Sequence, residues 1–249
     1  MILKNKVAFV TGASRGIGSA IARALGRSGA AVILNYQKGV GEPDRVVREI
    51  IDLGGDAVAI QADLTKKEEV DSMIRSGSDR FGTIDILVNN YVSPVGFKKF
   101  SELDWEDVQH QIDGTIRAAF YCCKGVLAGM MENRWGRIIN LSSTIIHKPV
   151  SGSHAYAVAK GAMEAFTKNI AIEYGQYGIT VNTVSPGMTL TNEVLALGNG
   201  IRERQTKITP LRRLSTPEEV ATVVLFFASP WSDMVTGSYL PVDGGGALP

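Results

Sequence analysis

Short apolar runs rich in β-branched residues alternate along the chain with longer stretches whose apolar positions recur at helical spacing. "KVAFVTG" is followed by "SAIARALGRSG", "AAVILNY" by "DRVVREIIDLG", and "DAVAIQADL" completes a βαβαβ rhythm. The rhythm continues through "DILVNN", "GRIINLSS" and "ITVNTVSP", with helical stretches at about 105–132 and 154–175, and closes on "SYLPVDGG" as a last strand. Strands this apolar on both faces need helices on each side, which predicts an α/β fold built on a doubly wound parallel sheet. No repeat or polar linker interrupts the pattern, so residues 1–249 read as one domain. The least regular part, 187–215, lies between a strand and the final helix. A segment that long predicts a mobile cover over a site, at about 188–212.

Composition narrows the classes of function. The 249 residues are 45% hydrophobic, enough for a sizeable core. With 26 Lys+Arg against 25 Asp+Glu and no long single-sign block, a nucleic-acid or membrane-surface partner is not expected, and a small neutral or anionic ligand is. No apolar run approaches membrane-spanning length, and "MILKNKVAFVTG" runs straight into a strand without room for a signal peptide, so a cytoplasmic location is expected. Cys122 and Cys123 are adjacent in a helical stretch and read as core thiols, not as a disulfide or metal site. His110, His147 and His154 lack metal-site spacing, so no metal is expected. Trp105 and Trp135 bracket the long helix and are expected to pack it, with Met130 and Met131 as core or subunit contacts.

Candidate chemistry begins at "TGASRGIG", residues 11–18. Gly12, Gly16 and Gly18, with Ser14, Arg15 and Ile17 between them, follow the first strand and lead into a helix, where a backbone free of side chains can approach a pyrophosphate. That placement points to a Rossmann-type dinucleotide site. A carboxylate for a ribose 2′-hydroxyl is expected at the end of the second strand, but the chain there reads "NYQK", Asn35 to Lys38. Arg15 and Lys38 beside an uncharged strand end suit a 2′-phosphate, which favours NADP(H), with NAD(H) and two merely solvated cations left open. In "HAYAVAK", Tyr156 and Lys160 share one helix face. A free phenol has a pKa of ~10, a nearby ammonium lowers it, and a phenol tuned in this way can act as general acid toward a carbonyl oxygen. A hydroxyl from "NLSS" at a strand end could hold the same oxygen.

Taken in register from "TGASRGIG" to "PVDGG", these motifs resemble the short-chain dehydrogenase/reductase family over nearly the whole chain. The resemblance selects Ser143, thirteen positions before Tyr156, and implies a catalytic triad of Ser143, Tyr156 and Lys160, the last two also meeting the cofactor. It implies contacts from Asp63 and Leu64 near the adenine, Asn89 behind the cofactor, and Pro186, Gly187, Thr189 and Thr191 at the nicotinamide. Two departures stand out: "NNYV" puts Tyr91 and Val92 where small residues are usual, and Thr115 stands where many members carry an asparagine that anchors a relay water. The implied activity is NADPH-dependent reduction of a ketone, most like the 3-oxoacyl-carrier-protein reductases, which "GRIINLSS", "YGITVNTVSPG" and "TPEEVATVVLFFASP" resemble. The alternatives are a dehydrogenase of a sugar, steroid or small alcohol, and a non-catalytic NADP-binding sensor or scaffold. Expected partners are a small carbonyl or alcohol substrate and further copies of the chain as a homodimer or homotetramer joined by helices 105–132 and 154–175, while Arg202, Arg204 and Lys207 are open to two readings, an ordinary solvated helix face, which is favoured, or attraction of an acyl-carrier protein.

Overall fold

The apolar runs form one seven-stranded parallel sheet in the order β3-β2-β1-β4-β5-β6-β7, and the computed structural model describes residues 1–39 and 41–247. Its strands are β1 Val7–Val10, β2 Ala31–Tyr36, β3 Asp56–Gln61, β4 Ile86–Asn89, β5 Gly136–Leu141, β6 Ile179–Pro186 and β7 Tyr239–Val242. The helices are α1 Gly16–Arg27, α2 Glu42–Asp52, α3 Lys67–Phe81, α4 Trp105–Ile112, α5 Ala118–Glu132, α6 His154–Tyr174, α7 Asn192–Leu195, α8 Asn199–Ile208 and α9 Pro217–Ala228.

Strand alternation sorts side chains into two cores. Ala8, Val10, Val32, Leu34, Ile139 and Leu141 face α1, α2 and α9, while Val7, Phe9, Ile33, Leu87 and Ile138 face α3, α5 and α6. Covering both faces explains why the central strands read as continuous apolar runs. The strand at the far edge, β7, carries Pro241, a residue tolerated where one side of a strand needs no partner. Cys122 and Cys123 are free and buried, and burial pushes the Cys123 thiol up to about 12, so both are inert packing groups. Met130 is buried in the same core.

Three expectations need correction. The helix expected at 105–132 is split by a π turn over Asp113–Arg117, where the Gly114 backbone presses so closely on Ser93 that a Cβ would lie 2.0 Å from its Oγ. The irregular segment 187–215 contains α7 and α8, neither of which buries a residue. Trp105, the first residue of α4, is 65% exposed, and Trp135 instead has Lys6 and Arg137 over its ring, 3.6 and 4.3 Å from the centroid. Helix α3, which the periodic pattern did not single out, completes the cover over β3. No described helix is long and apolar enough to cross a membrane.

Candidate active site

All strands run the same way, so the segments following β1, β3, β4, β5 and β6 meet at one edge of the sheet. The glycine loop is fixed there from two sides. From β2, Asn35 Oδ1 accepts the Gly12 N–H at 3.2 Å and its backbone oxygen accepts the Ala13 N–H at 2.8 Å. From the end of β4, Asn90 Nδ2 donates to the carbonyls of Thr11 and Gly12 at 2.9 and 3.1 Å, while Thr11 Oγ1 accepts the N–H groups of Asn90 and Tyr91. Gly12 sits at φ +60°, and a Cβ on Gly18 would lie 2.3 Å from the Gly12 oxygen, so both positions need glycine. Helix α1 begins without a side-chain cap and without an acid in its first turn. An uncapped N-terminus behind a bare loop is a receptor for a diphosphate.

Beyond β3, Asp63 Oδ1 accepts from the Thr65 N–H and hydroxyl at 3.0 and 2.7 Å. Burial opposes its ionisation, but the Thr65 hydrogen bonds prevail and hold the carboxyl below its ordinary value. Leu64 is buried beside it. Ser14 is buried, and Ile17 packs partly against the first core. An ionised acceptor, an uncapped helix end and a glycine-rich loop fit an adenine dinucleotide, which Gly12 to Gly18 and Asp63 could hold.

The 2′-phosphate expectation meets a different arrangement. Asn35 is buried and its amide is used up, Oδ1 by Gly12 and Nδ2 by the Ala62 carbonyl at 3.1 Å, so it supports the loop and does not face a ligand. Lys38 is exposed, and Arg15 pairs with Glu193 of α7 at 3.0 Å, so the two cations are not gathered at one point. The Tyr91 departure leaves the loop unbulged, because its N–H keeps the Thr11 bond and its phenol reaches across to Gln37 Oε1 at 3.3 Å.

At the end of β5, Ser143 caps a short turn, its Oγ accepting the Ile145 N–H at 3.3 Å. Tyr156 of α6 brings its phenol to the Ser143 hydroxyl, and Ser142 Oγ ties the strand to the helix through the Lys160 carbonyl at 3.1 Å. Burial raises the Tyr156 phenol, and the facing Ser143 hydroxyl works in the opposite direction. Lys160 does not set the direction of that shift. Its Nζ donates instead to the Leu141 carbonyl at 2.6 Å and stands 5.7 Å from the Tyr156 ring centroid. Burial lowers the Lys160 ammonium to about 8. The side chains therefore offer a protonated phenol, a hydroxyl beside it and a buried cation behind it.

Thr115 lies in the π turn, 1% exposed, with no hydrogen-bond partner for its Oγ1 among the described residues. Asn89 Nδ2 donates to Asn140 Oδ1 at 2.8 Å, and Asn140 Nδ2 continues to Thr167 Oγ1 at 2.8 Å, a polar chain running beneath α6. Pro186 ends β6, Gly187 donates its N–H to Val242, and Thr189 Oγ1 meets Ser215 Oγ at 3.0 Å. Thr191 caps α7 and places its Cγ2 3.5 Å from where a Cβ on Gly16 would stand, so the start of the cover rests on the glycine loop. His154 is exposed and packs against Phe100, and no group of three metal-ligating side chains occurs among the described residues. Sequence reading missed Asn90, although "VNN" offered the doublet, and missed Glu193 and the Leu141 carbonyl, which carry no local signal.

Comparison with known proteins adds a third line of observation. A family model described as enoyl-(acyl carrier protein) reductase matches residues 12–246. A 3-oxoacyl-[acyl-carrier-protein] reductase of Synechocystis is 39% identical over 247 residues, covering 98% of this chain and 97% of the relative. Glucose 1-dehydrogenase 2 of Bacillus subtilis is 34% identical over 252 residues, covering 99% and 96%. A solved short-chain dehydrogenase/reductase from Serratia marcescens superposes with a TM-score of 0.94 at 32% identity and full coverage of both chains.

Proposed function

We propose, from the premise that this chain belongs to the short-chain dehydrogenase/reductase family, that it uses NADPH to reduce a ketone, a 3-oxoacyl thioester, to the secondary alcohol. Membership makes it an oxidoreductase working with a nicotinamide cofactor, and its likeness to 3-oxoacyl-carrier-protein reductases points to the thioester. The observation that supports the reading is the Tyr156 phenol beside the Ser143 hydroxyl, with Lys160 Nζ 5.7 Å from the Tyr156 ring centroid, on the sheet edge that also holds the glycine loop.

Each side chain then has a definite task. Ser143 donates its hydroxyl hydrogen to the substrate carbonyl oxygen and fixes its position. Tyr156, kept protonated by burial, gives its phenolic proton to that oxygen as negative charge develops on it. Lys160 stabilises the phenolate left behind, held in place by the Leu141 carbonyl. A nicotinamide held at this edge would supply the hydride chemistry for the carbonyl carbon. Thr115 offers its unpartnered hydroxyl to the water that returns a proton toward Lys160.

The test is steady-state oxidation of NADPH and NADH with an acetoacetyl thioester or gluconolactone, and reduction of NADP+ and NAD+ with glucose. NADPH-selective turnover of the thioester supports the reading. Turnover of the sugar alone would move the assignment to the second reading, a sugar dehydrogenase, which the likeness to the Bacillus enzyme favours.

A further inference from the structure

The glycine loop and the cover are joined through charge. Arg15 Nε lies 3.0 Å from Glu193 Oε1, and α7, which carries Glu193, starts immediately after the Thr191 that rests on Gly16. The two side chains are 62% and 53% exposed, so a solute anion can reach either of them. Helix α1 supplies no acid of its own in its first turn, and the carboxylate facing Arg15 comes from the segment that follows β6. The strand order sets the direction of this contact. β6 lies on the β4 side of β1, whereas the end of β2, where Lys38 stands, lies on the other side. One guanidinium cannot face both at once.

We propose that Glu193 is an internal competitor for Arg15, so that a ribose 2′-phosphate gains Arg15 only by releasing Glu193, and α7 with it. A dinucleotide without that phosphate leaves the pair closed. Glu193 is then a specificity-determining residue that restrains the preference for the phosphorylated cofactor and makes the position of the cover depend on which cofactor is bound. This rests on the reading that Arg15 receives the 2′-phosphate. An exposed ion pair shifts an equilibrium by no more than about fivefold, which sets the size of the effect.

The experiment titrates NADPH and NADH, by their own fluorescence, into the wild type, Glu193→Gln, Arg15→Gln and the double variant. Glu193→Gln is expected to tighten NADPH by about two- to fivefold with NADH unchanged, raising the ratio of the two affinities. A general effect of removing a negative charge near a diphosphate would tighten both cofactors equally and would overturn the proposal. Arg15→Gln is expected to weaken NADPH selectively, and Glu193→Gln added to it should then have no further selective effect. If Arg15→Gln weakens NADPH selectively while Glu193→Gln leaves the ratio unchanged, the competition fails and the 2′-phosphate reading survives. If Arg15→Gln shows no selectivity, both fall.

Discussion

Lys160 must hold a positive charge where the fold resists one. It is buried among Ala155, Ala159, Met163 and Thr167 on the inward face of α6, and its partner is the Leu141 carbonyl, not a carboxylate. Burial accordingly lowers it from 10.5 to about 8. Between these values the unfolded chain binds the proton that the folded chain has released, so the contribution of Lys160 to stability rises with pH through that window. Its contribution to catalysis runs the other way, because the neutral amine no longer supports the phenolate. Tyr156, raised by burial, keeps its proton over the same range, so the alkaline limb of the rate profile belongs to the lysine. The expected result is a kcat/KM for reduction that falls with an apparent pKa near about 8, while the urea midpoint holds or climbs. A rate that stays level to pH ~10 would contradict this assignment, since an unperturbed lysine titrates only there.

Elements carry the second level of constraint, and Gly18 at the start of α1 shows how tightly. A methyl there would meet the Gly12 carbonyl at 2.3 Å and Asn90 Nδ2 at 2.6 Å, and neither is the free end of a flexible chain. Overpacking of this kind costs about 1–3 kcal/mol. Gly18→Ala is therefore expected to lower Tm by several degrees, about 2–4 °C per kcal/mol for a domain of this size, and to weaken dinucleotide binding because the loop itself must shift. A variant with wild-type Tm and cofactor affinity would show that the loop is looser than its contacts indicate. The strands and the glycine loop were legible in the sequence because burial on both faces leaves continuous apolar runs and because the turn demands glycine. The π turn was not legible, since Asp113–Arg117 preserves a helical pattern and its extra residue answers to a distant contact with Ser93. The partners of Asn35 and Arg15 were not legible for the same reason: each lies far along the chain, Gly12 for one and Glu193 for the other.

In the whole molecule the two edges of the sheet do different work. The edge where the strands end gathers the glycine loop, Asp63, Ser143 and the cover. The edge where they begin holds Arg137, buried at 3% exposure, with Asp233 at 2.5 Å and the Trp135 ring beneath its guanidinium. Arg137→Ala removes a buried hydrogen-bonded cation and the packing of its stem. It is expected to lower stability by about 1–3 kcal/mol while leaving KM and kcat unchanged, because the loss lies at the far end of β5 from Ser143. Chemical denaturation beside steady-state kinetics checks both halves. A drop in kcat at full folding would mean that the two edges are coupled through the strand.

The central claim is that Tyr156 supplies the proton for carbonyl reduction, and it is tested most directly by Tyr156→Phe. NADPH affinity is measured by fluorescence titration, and turnover of an acetoacetyl thioester is followed on the same preparation. The phenyl ring keeps the packing and removes only the hydroxyl. The expected result is NADPH binding within about twofold of wild type and turnover lower by about 10²- to 10⁴-fold, the usual range for loss of a general acid. Turnover near the wild-type rate would contradict the role given to Tyr156 and, with it, the arrangement of Ser143 and Lys160 around it.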